Sequence, residues 1–178
     1  MRTLGPFLTT RPRPAAVPVL RYRRRAVAFL AIGLLAGCGG GDVETLPTAE
    51  IVDLTSGDVS LLSDIEGPAV INLWGTWCAP CRTEIPAFEE VHQARGDEVR
   101  FVGINIGDDP AKALAFLDDV GATYDQFSDE TGDVSTELRA TSMPLTAVID
   151  ADGVVTTRHL GPLDQDGLNE AIDEALAG

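Results

Sequence analysis

The fold turns on the stretch Val70-Ile71-Asn72-Leu73-Trp74-Gly75-Thr76-Trp77-Cys78-Ala79-Pro80-Cys81-Arg82-Thr83-Glu84-Ile85-Pro86. Its first five residues are a compact, mostly apolar run between Gly67-Pro68 and Gly75, which predicts a central, buried strand. From Cys78 to about Ala94 the pattern is helical, and Gly96-Asp97 ends it. A Cys-x-x-Cys at the start of a helix has a specific chemistry. Helix-start amides and the macrodipole favour an anion, so Cys78 ionises more readily than a free thiol. Cys81 falls one turn further along and is shielded, which suits it to resolve a mixed disulfide rather than to attack first. Pro80 restrains the loop between the two thiols, Trp77 shields the site, and Pro86 removes a helix bond to the Arg82 carbonyl.

Working outward, Ile51 to Leu54 and Asp58 to Leu61, separated by a Thr-Ser-Gly turn, predict a small hairpin before the central strand. Val99 to Ile106 predicts a second buried strand. Asp108-Asp109-Pro110 opens a helix with apolar positions Ala113, Leu114, Phe116, Leu117 and Val120, and Thr131 to Leu138 reads as a further short helix. Leu145 to Ile149, Asp150-Ala151-Asp152-Gly153 and Val154 to Leu160 form a second hairpin, and Asp164 opens a terminal helix to about Ala177. The implied architecture is α/β, with a central mixed sheet flanked by helices and an N-terminal β-hairpin extension.

The beginning of the chain has a different character. The first 37 residues hold seven Arg and no acid. The remaining six basic residues face all 28 acidic ones, a formal charge of −22. After Arg23-Arg24-Arg25 comes an apolar run, Ala26 to Gly37, about 18 Å long as a helix and too short for a hydrocarbon core of about 30 Å. A basic flank, a short apolar run and small residues at its end predict a signal peptide over residues 1–37. Residues 38–49, rich in Gly and polar residues, read as a flexible tether, and residues 50–178 as one domain. The overall net charge of −15 excludes nucleic-acid backbones as partners.

Two parts of the chain resemble known families. Leu35-Ala36-Gly37-Cys38 is similar to the bacterial lipobox, which implies lipid attachment at Cys38 and a membrane anchor. Trp77-Cys78-Ala79-Pro80-Cys81, with Asn72-Leu73-Trp74-Gly75-Thr76 before it and Arg82-Thr83-Glu84-Ile85-Pro86 after it, resembles the TlpA/ResA-like branch of the thioredoxin superfamily. The likeness runs from about residue 50 to the C-terminus and includes Pro144-Leu145-Thr146-Ala147-Val148-Ile149-Asp150-Ala151-Asp152-Gly153. It implies a thioredoxin-like fold in which Pro144 faces the cysteines in a cis bond and the backbone of Met143 pairs with substrate. Met143 departs from the commoner residue before that proline. Asn72 stands where cytosolic thioredoxins carry a buried Asp. Since Asn cannot exchange a proton, Glu84 is the candidate replacement.

The resemblance implies an extracytoplasmic, membrane-anchored thiol-disulfide oxidoreductase that needs no cofactor beyond the Cys78–Cys81 pair. Reduction of disulfides in exported proteins is favoured, apocytochrome c among the candidate clients, with a membrane electron-transfer protein as reductant. The alternative from another class is a copper-binding carrier that uses Cys78, Cys81 and one His as soft ligands. His92 and His159 have no zinc-like spacing to the cysteines and read as surface or packing residues, so no metal site is assigned. A peroxidase would place its cysteine alone, whereas Cys78 is paired with Cys81.

Overall fold

The computed structural model describes residues 44–178. The expected signal segment and Cys38 lie outside the described residues. Seven strands form one sheet: β1 (Glu50–Asp53), β2 (Val59–Leu61), β3 (Ala69–Trp74), β4 (Arg100–Ile106), β5 (Asp125–Asp129), β6 (Leu145–Ile149) and β7 (Val155–Leu160). Their spatial order is β2-β1-β5-β4-β3-β6-β7. The β3–β4 and β4–β5 pairs are parallel, and the other four are antiparallel. The helices are α1 (Ala79–Arg95), α2 (Pro110–Val120), α3 (Asp133–Glu137) and α4 (Gln165–Ala177).

All six residues of β3 are buried because both faces of the sheet are covered. Ala69, Ile71 and Leu73 point into one core with Val102, Ile104, Leu145 and Ala147, closed by Leu62 and by Val134 and Leu138 around α3. Val70 points the other way, into a core with Phe88 and Val91 of α1 and Leu168 and Ile172 of α4. Trp74 shares that second face with Cys78, Cys81 and Ile85 and with Ala113 and Leu117 of α2. The sheet therefore delivers the end of β3 directly into the start of α1.

Helix ends follow local chemistry. The Asp109 carboxylate accepts from the Ala111 amide at 3.0 Å to start α2, and Gly121, with φ of 70°, ends it in a left-handed turn where a Cβ would be strained. The Asp164 carboxylate accepts from the Gly167 amide at 2.9 Å to start α4. Within α2, Leu114 is exposed, so the buried stripe is narrower than the sequence suggests.

One expectation needs correction. The tether does not extend to residue 49. The Val155 amide donates to the Glu44 carbonyl at 2.8 Å, Thr45 bridges Val154, and Leu46 and Ala49 are buried in the first core. Two apolar side chains in a polar stretch are enough to dock it. The N-terminal hairpin is present as expected and extends the sheet at its edge, where β1 pairs with β5 through Val52↔Ser128 and Asp53↔Phe127. β5 itself, Asp-Gln-Phe-Ser-Asp, was not anticipated, because its polar side chains look like a loop. Each finds a partner only in the fold. Asp125 pairs with Arg100, and the Asp129 carboxylate accepts from the Gly132 and Ser135 amides at 2.9 and 3.0 Å, which anchors the start of α3.

Candidate functional site

The turn between β3 and α1 is fixed from below. The Asp108 carboxylate accepts from the Thr76 amide at 2.7 Å, from the Thr76 hydroxyl, and from Asn105 Nδ2 at 2.8 Å. Burial works against its charge, but these donors outweigh it and hold the carboxyl below its ordinary value. Gly75 is required here: a Cβ on it would lie 2.5 Å from Trp77 Nε1. The Trp77 indole therefore covers Gly75 and donates to the Ile106 carbonyl at 2.8 Å. It is 59% exposed, so it flanks the site instead of sealing it.

Cys78 occupies the N-cap of α1, and its sulfur accepts from the Cys81 amide at 3.2 Å. Serine or aspartate commonly fills that position; a sulfur there meets the same helix-start field. Ala79 and Pro80 lie exposed in the first turn. Pro80 offers no N–H, so the helix start has one donor fewer. Cys78 and Cys81 form a disulfide with Cα atoms 5.3 Å apart. Cys78 is 5% exposed and Cys81 fully buried, so Cys78 is the more accessible of the two.

The Met143–Pro144 peptide is cis. Met143 packs against the buried cluster that includes Cys78 and Cys81. Pro144 is buried, and its carbonyl accepts from the Gly161 amide at 2.9 Å.

Glu84 points inward and is 4% exposed. Its carboxylate accepts from Asn72 Nδ2 at 2.9 Å and from the Leu163 amide at 3.1 Å. Burial outweighs both donors and pushes its pKa up to about 7. Beside it, Pro80, Thr83 and Ala87 of α1 face Pro162, Leu163 and Asp164 across an open groove of about 520 Å³. Glu84 thus joins the interior beneath the disulfide to a mainly apolar groove on its flank.

Asn72 has a role beyond the one its chemistry excludes. It exchanges no proton, but it holds the carboxylate that can. Glu89 was also missed: it is buried one and a half turns after Glu84 and accepts from the Thr123 amide, the Thr123 hydroxyl and Gln93. Only the register of Asn72 on β3 against α1 could have signalled the first, and no sequence signal marks the second. His92 packs edge-on against Phe101 and Tyr124, at ring distances of 5.3 and 5.8 Å, and His159 Nε2 lies 3.3 Å from the Pro162 carbonyl. Among the described residues no group of three or more His, Cys, Asp and Glu side chains is arranged to hold a metal ion.

Residues 44–158 match the model of the AhpC/TSA family. The chain is 34% identical over 110 residues to the thiol:disulfide interchange protein HelX of Rhodobacter capsulatus, and the match covers 61% of each chain. It is 30% identical over 122 residues to the thioredoxin-like protein YneN of Bacillus subtilis, covering 66% of this chain and 71% of that one. Among solved structures, a DsbF homologue from Corynebacterium diphtheriae superimposes with a TM-score of 0.61 at 31% identity, over 76% of this chain and 94% of the other.

Proposed function

The chain belongs to the AhpC/TSA family and has a thioredoxin-like fold, and from that premise we propose that it is a thiol-disulfide oxidoreductase working in the reductive direction on exported proteins. The observation that carries the reading is the placement of Cys78. Its sulfur caps α1 and is disulfide-bonded to a fully buried Cys81 beside the cis Met143–Pro144 loop.

In the reduced protein the Cys78 thiolate attacks a client disulfide. A Cys78–client disulfide forms, and the client's second sulfur leaves as a thiolate that takes a proton from solvent. Cys81 then attacks Cys78 Sγ, releasing the client dithiol and closing the Cys78–Cys81 disulfide. Two electrons and two protons from a membrane dithiol electron-transfer protein reset the pair. Glu84, with a pKa near neutrality, takes up the proton that Cys81 loses and passes it to the departing client sulfur, so it ends each turnover as it began. A like charge beside the pair also raises the thiol pKa and with it the intrinsic nucleophilicity, which suits a selective reductant. Met143 presents backbone groups for an extended client segment. The lipobox-like Cys38 places the domain on the outer face of the cytoplasmic membrane, where apocytochrome c is one candidate client.

With Cys81→Ser, a mixed disulfide with client accumulates; with Cys78→Ser it does not. Equal trapping by both variants overturns the assignment. A Cys78–Cys81 reduction potential near −270 mV, roughly the thioredoxin value, supports the reductive direction, and one near −120 mV contradicts it. Mass spectrometry of the mature protein tests the anchor: an unmodified Cys38 removes it from the proposal.

A further inference from the structure

Beneath the disulfide, on the sheet face covered by α1, four residues stand in one cross-strand row: Thr146 on β6, Asn72 on β3, Gly103 on β4 and Gln126 on β5. Gly103 has no side chain, and the Gln126 amide lies in the space this leaves. A Cβ on Gly103 would be 2.2 Å from Gln126 Oε1 and 2.8 Å from Nε2. Gln126 Oε1 accepts from Trp74 Nε1 at 3.0 Å, and its Nε2 is buried with no acceptor. On the other side of Gly103, Asn72 Nδ2 donates to Glu84 and lies 3.4 Å from Thr146 Oγ1, while Asn72 Oδ1 is buried with no donor. The amide is planar, and its nitrogen faces Thr146 on the β6 side. Asn72 and Gln126 flank Gly103 from opposite sides of the row, so the glycine leaves the space between their two amides free of a side chain. Buried polar atoms without partners are rare, and here a free donor and a free acceptor flank one glycine.

We infer that Gln126 is a positioning residue for Glu84: its Nε2 closes onto Asn72 Oδ1, directly or across one water, and locks the Asn72 amide with its nitrogen toward the Glu84 carboxylate. Without that lock the Asn72 amide is free to turn over. Its oxygen then faces Glu84, the carboxylate loses a donor, and the proton is held more tightly. The inference rests on the reading of Glu84 as the group that handles the proton. Three other groups bear on Glu84: Cys81 along α1, Asp164 across the groove, and Tyr124 just before β5. Tyr124 is the competing partner for Gln126 Nε2: its buried hydroxyl makes no well-formed hydrogen bond, yet it lies close enough to the Gln126 side chain to feel it.

Working with the full-length chain in its disulfide form removes the thiols from the titration. Glu84 is followed by carboxyl NMR in the wild type, Gln126→Met and Tyr124→Phe. Gln126→Met raises the Glu84 midpoint by about half a pH unit or more, and Tyr124→Phe leaves it within about 0.2 unit. An unmoved midpoint in Gln126→Met, or an equal shift in Tyr124→Phe, overturns the inference. A second measurement holds even if Gln126→Met does not fold. In the wild type, the Gln126 side-chain amide protons give a nuclear Overhauser contact to the Asn72 side chain or to one water shared with it; absence of both overturns the inference. The role of Glu84 itself is judged separately, by the pH profile of Cys78 alkylation in Glu84→Gln.

Discussion

Glu84 and Glu89 sit on the same helix, five residues apart, both buried, yet their carboxyl groups are driven in opposite directions. Glu84 is pushed up to about 7, whereas Glu89 is held below its ordinary value. Burial is the largest influence on each and raises both. The difference lies in the depth of that burial, greater at Glu84, and in the donors. Glu84 has two, Asn72 and the Leu163 amide. Glu89 has three, from Thr123 twice and Gln93, at 2.6 to 2.7 Å, and His92 nearby adds an attraction. The half of α1 beneath the cysteines keeps a carboxyl that can exchange its proton near neutral pH. The half beyond it uses a carboxylate as a fixed anchor for the loop before β5. An acid's function is set by the depth of its burial and by the donors aimed at it together.

The largest change should come from breaking the anchor. Glu89→Ala leaves the Thr123 amide and hydroxyl without their acceptor and should cost about 2–3 kcal/mol at pH 7, measured by urea unfolding. Cys78 alkylation should stay close to wild type, which separates the two halves of α1.

Glu84→Gln should act the other way. A carboxyl raised from 4.5 to about 7 binds its proton more tightly in the folded state. Its contribution to stability is therefore present below pH 4.5 and is lost as pH rises toward 7. Relative to wild type, Glu84→Gln should gain stability across that window, by on the order of 2 kcal/mol. Glu89 has the opposite sign: its contribution is present above the ordinary value and disappears as pH falls through its lowered folded value. Parallel pH–stability curves for Glu84→Gln and Glu89→Gln would break the comparison. The alkylation profile of Cys78 should also move to lower pH in Glu84→Gln.

Thr123→Val sharpens the contrast by making Glu89 resemble Glu84. It removes one of three donors, should cost about 1 kcal/mol, and should raise the Glu89 midpoint in a carboxyl NMR titration. The smallest effect belongs to a carboxylate that is not buried. Asp125 pairs with Arg100 at 2.7 Å, but both side chains are about half exposed. Asp125→Ala should change stability by less than about 0.5 kcal/mol and lose even that in high salt.

Much of this molecule was legible in its residues. The apolar run 70–74, the Cys-x-x-Cys after it, Asp109-Pro110, the Gly153 turn and the Asp164 cap are local signals, and each marks an element within a residue or two of its observed limits. β5 and the docking of Leu46 and Ala49 were not legible, because neither carries a periodic pattern. Their partners lie far away in sequence: Trp74 and Arg100 for β5, Val154 and Val155 for the segment before β1. Trp77 was legible as a neighbour of the site but not as an exposed one, since its position depends on Gly75 beneath it and the Ile106 carbonyl beside it.

What the sequence determined by itself is therefore what depends on neighbours along the chain: strand and helix positions, the order of the two cysteines at a helix start, and the inward register of Glu84 on α1. Only the tertiary structure decided what depends on neighbours through space. Glu84 shares its surroundings with Asn72 on β3 and the Leu163 amide before α4, residues 12 and 79 positions away. A helix register can turn a carboxyl toward the interior, but the balance between lost water and gained donors is set by the surfaces that close over it. That balance made one glutamate of α1 titrate near neutrality and fixed the other as an anion.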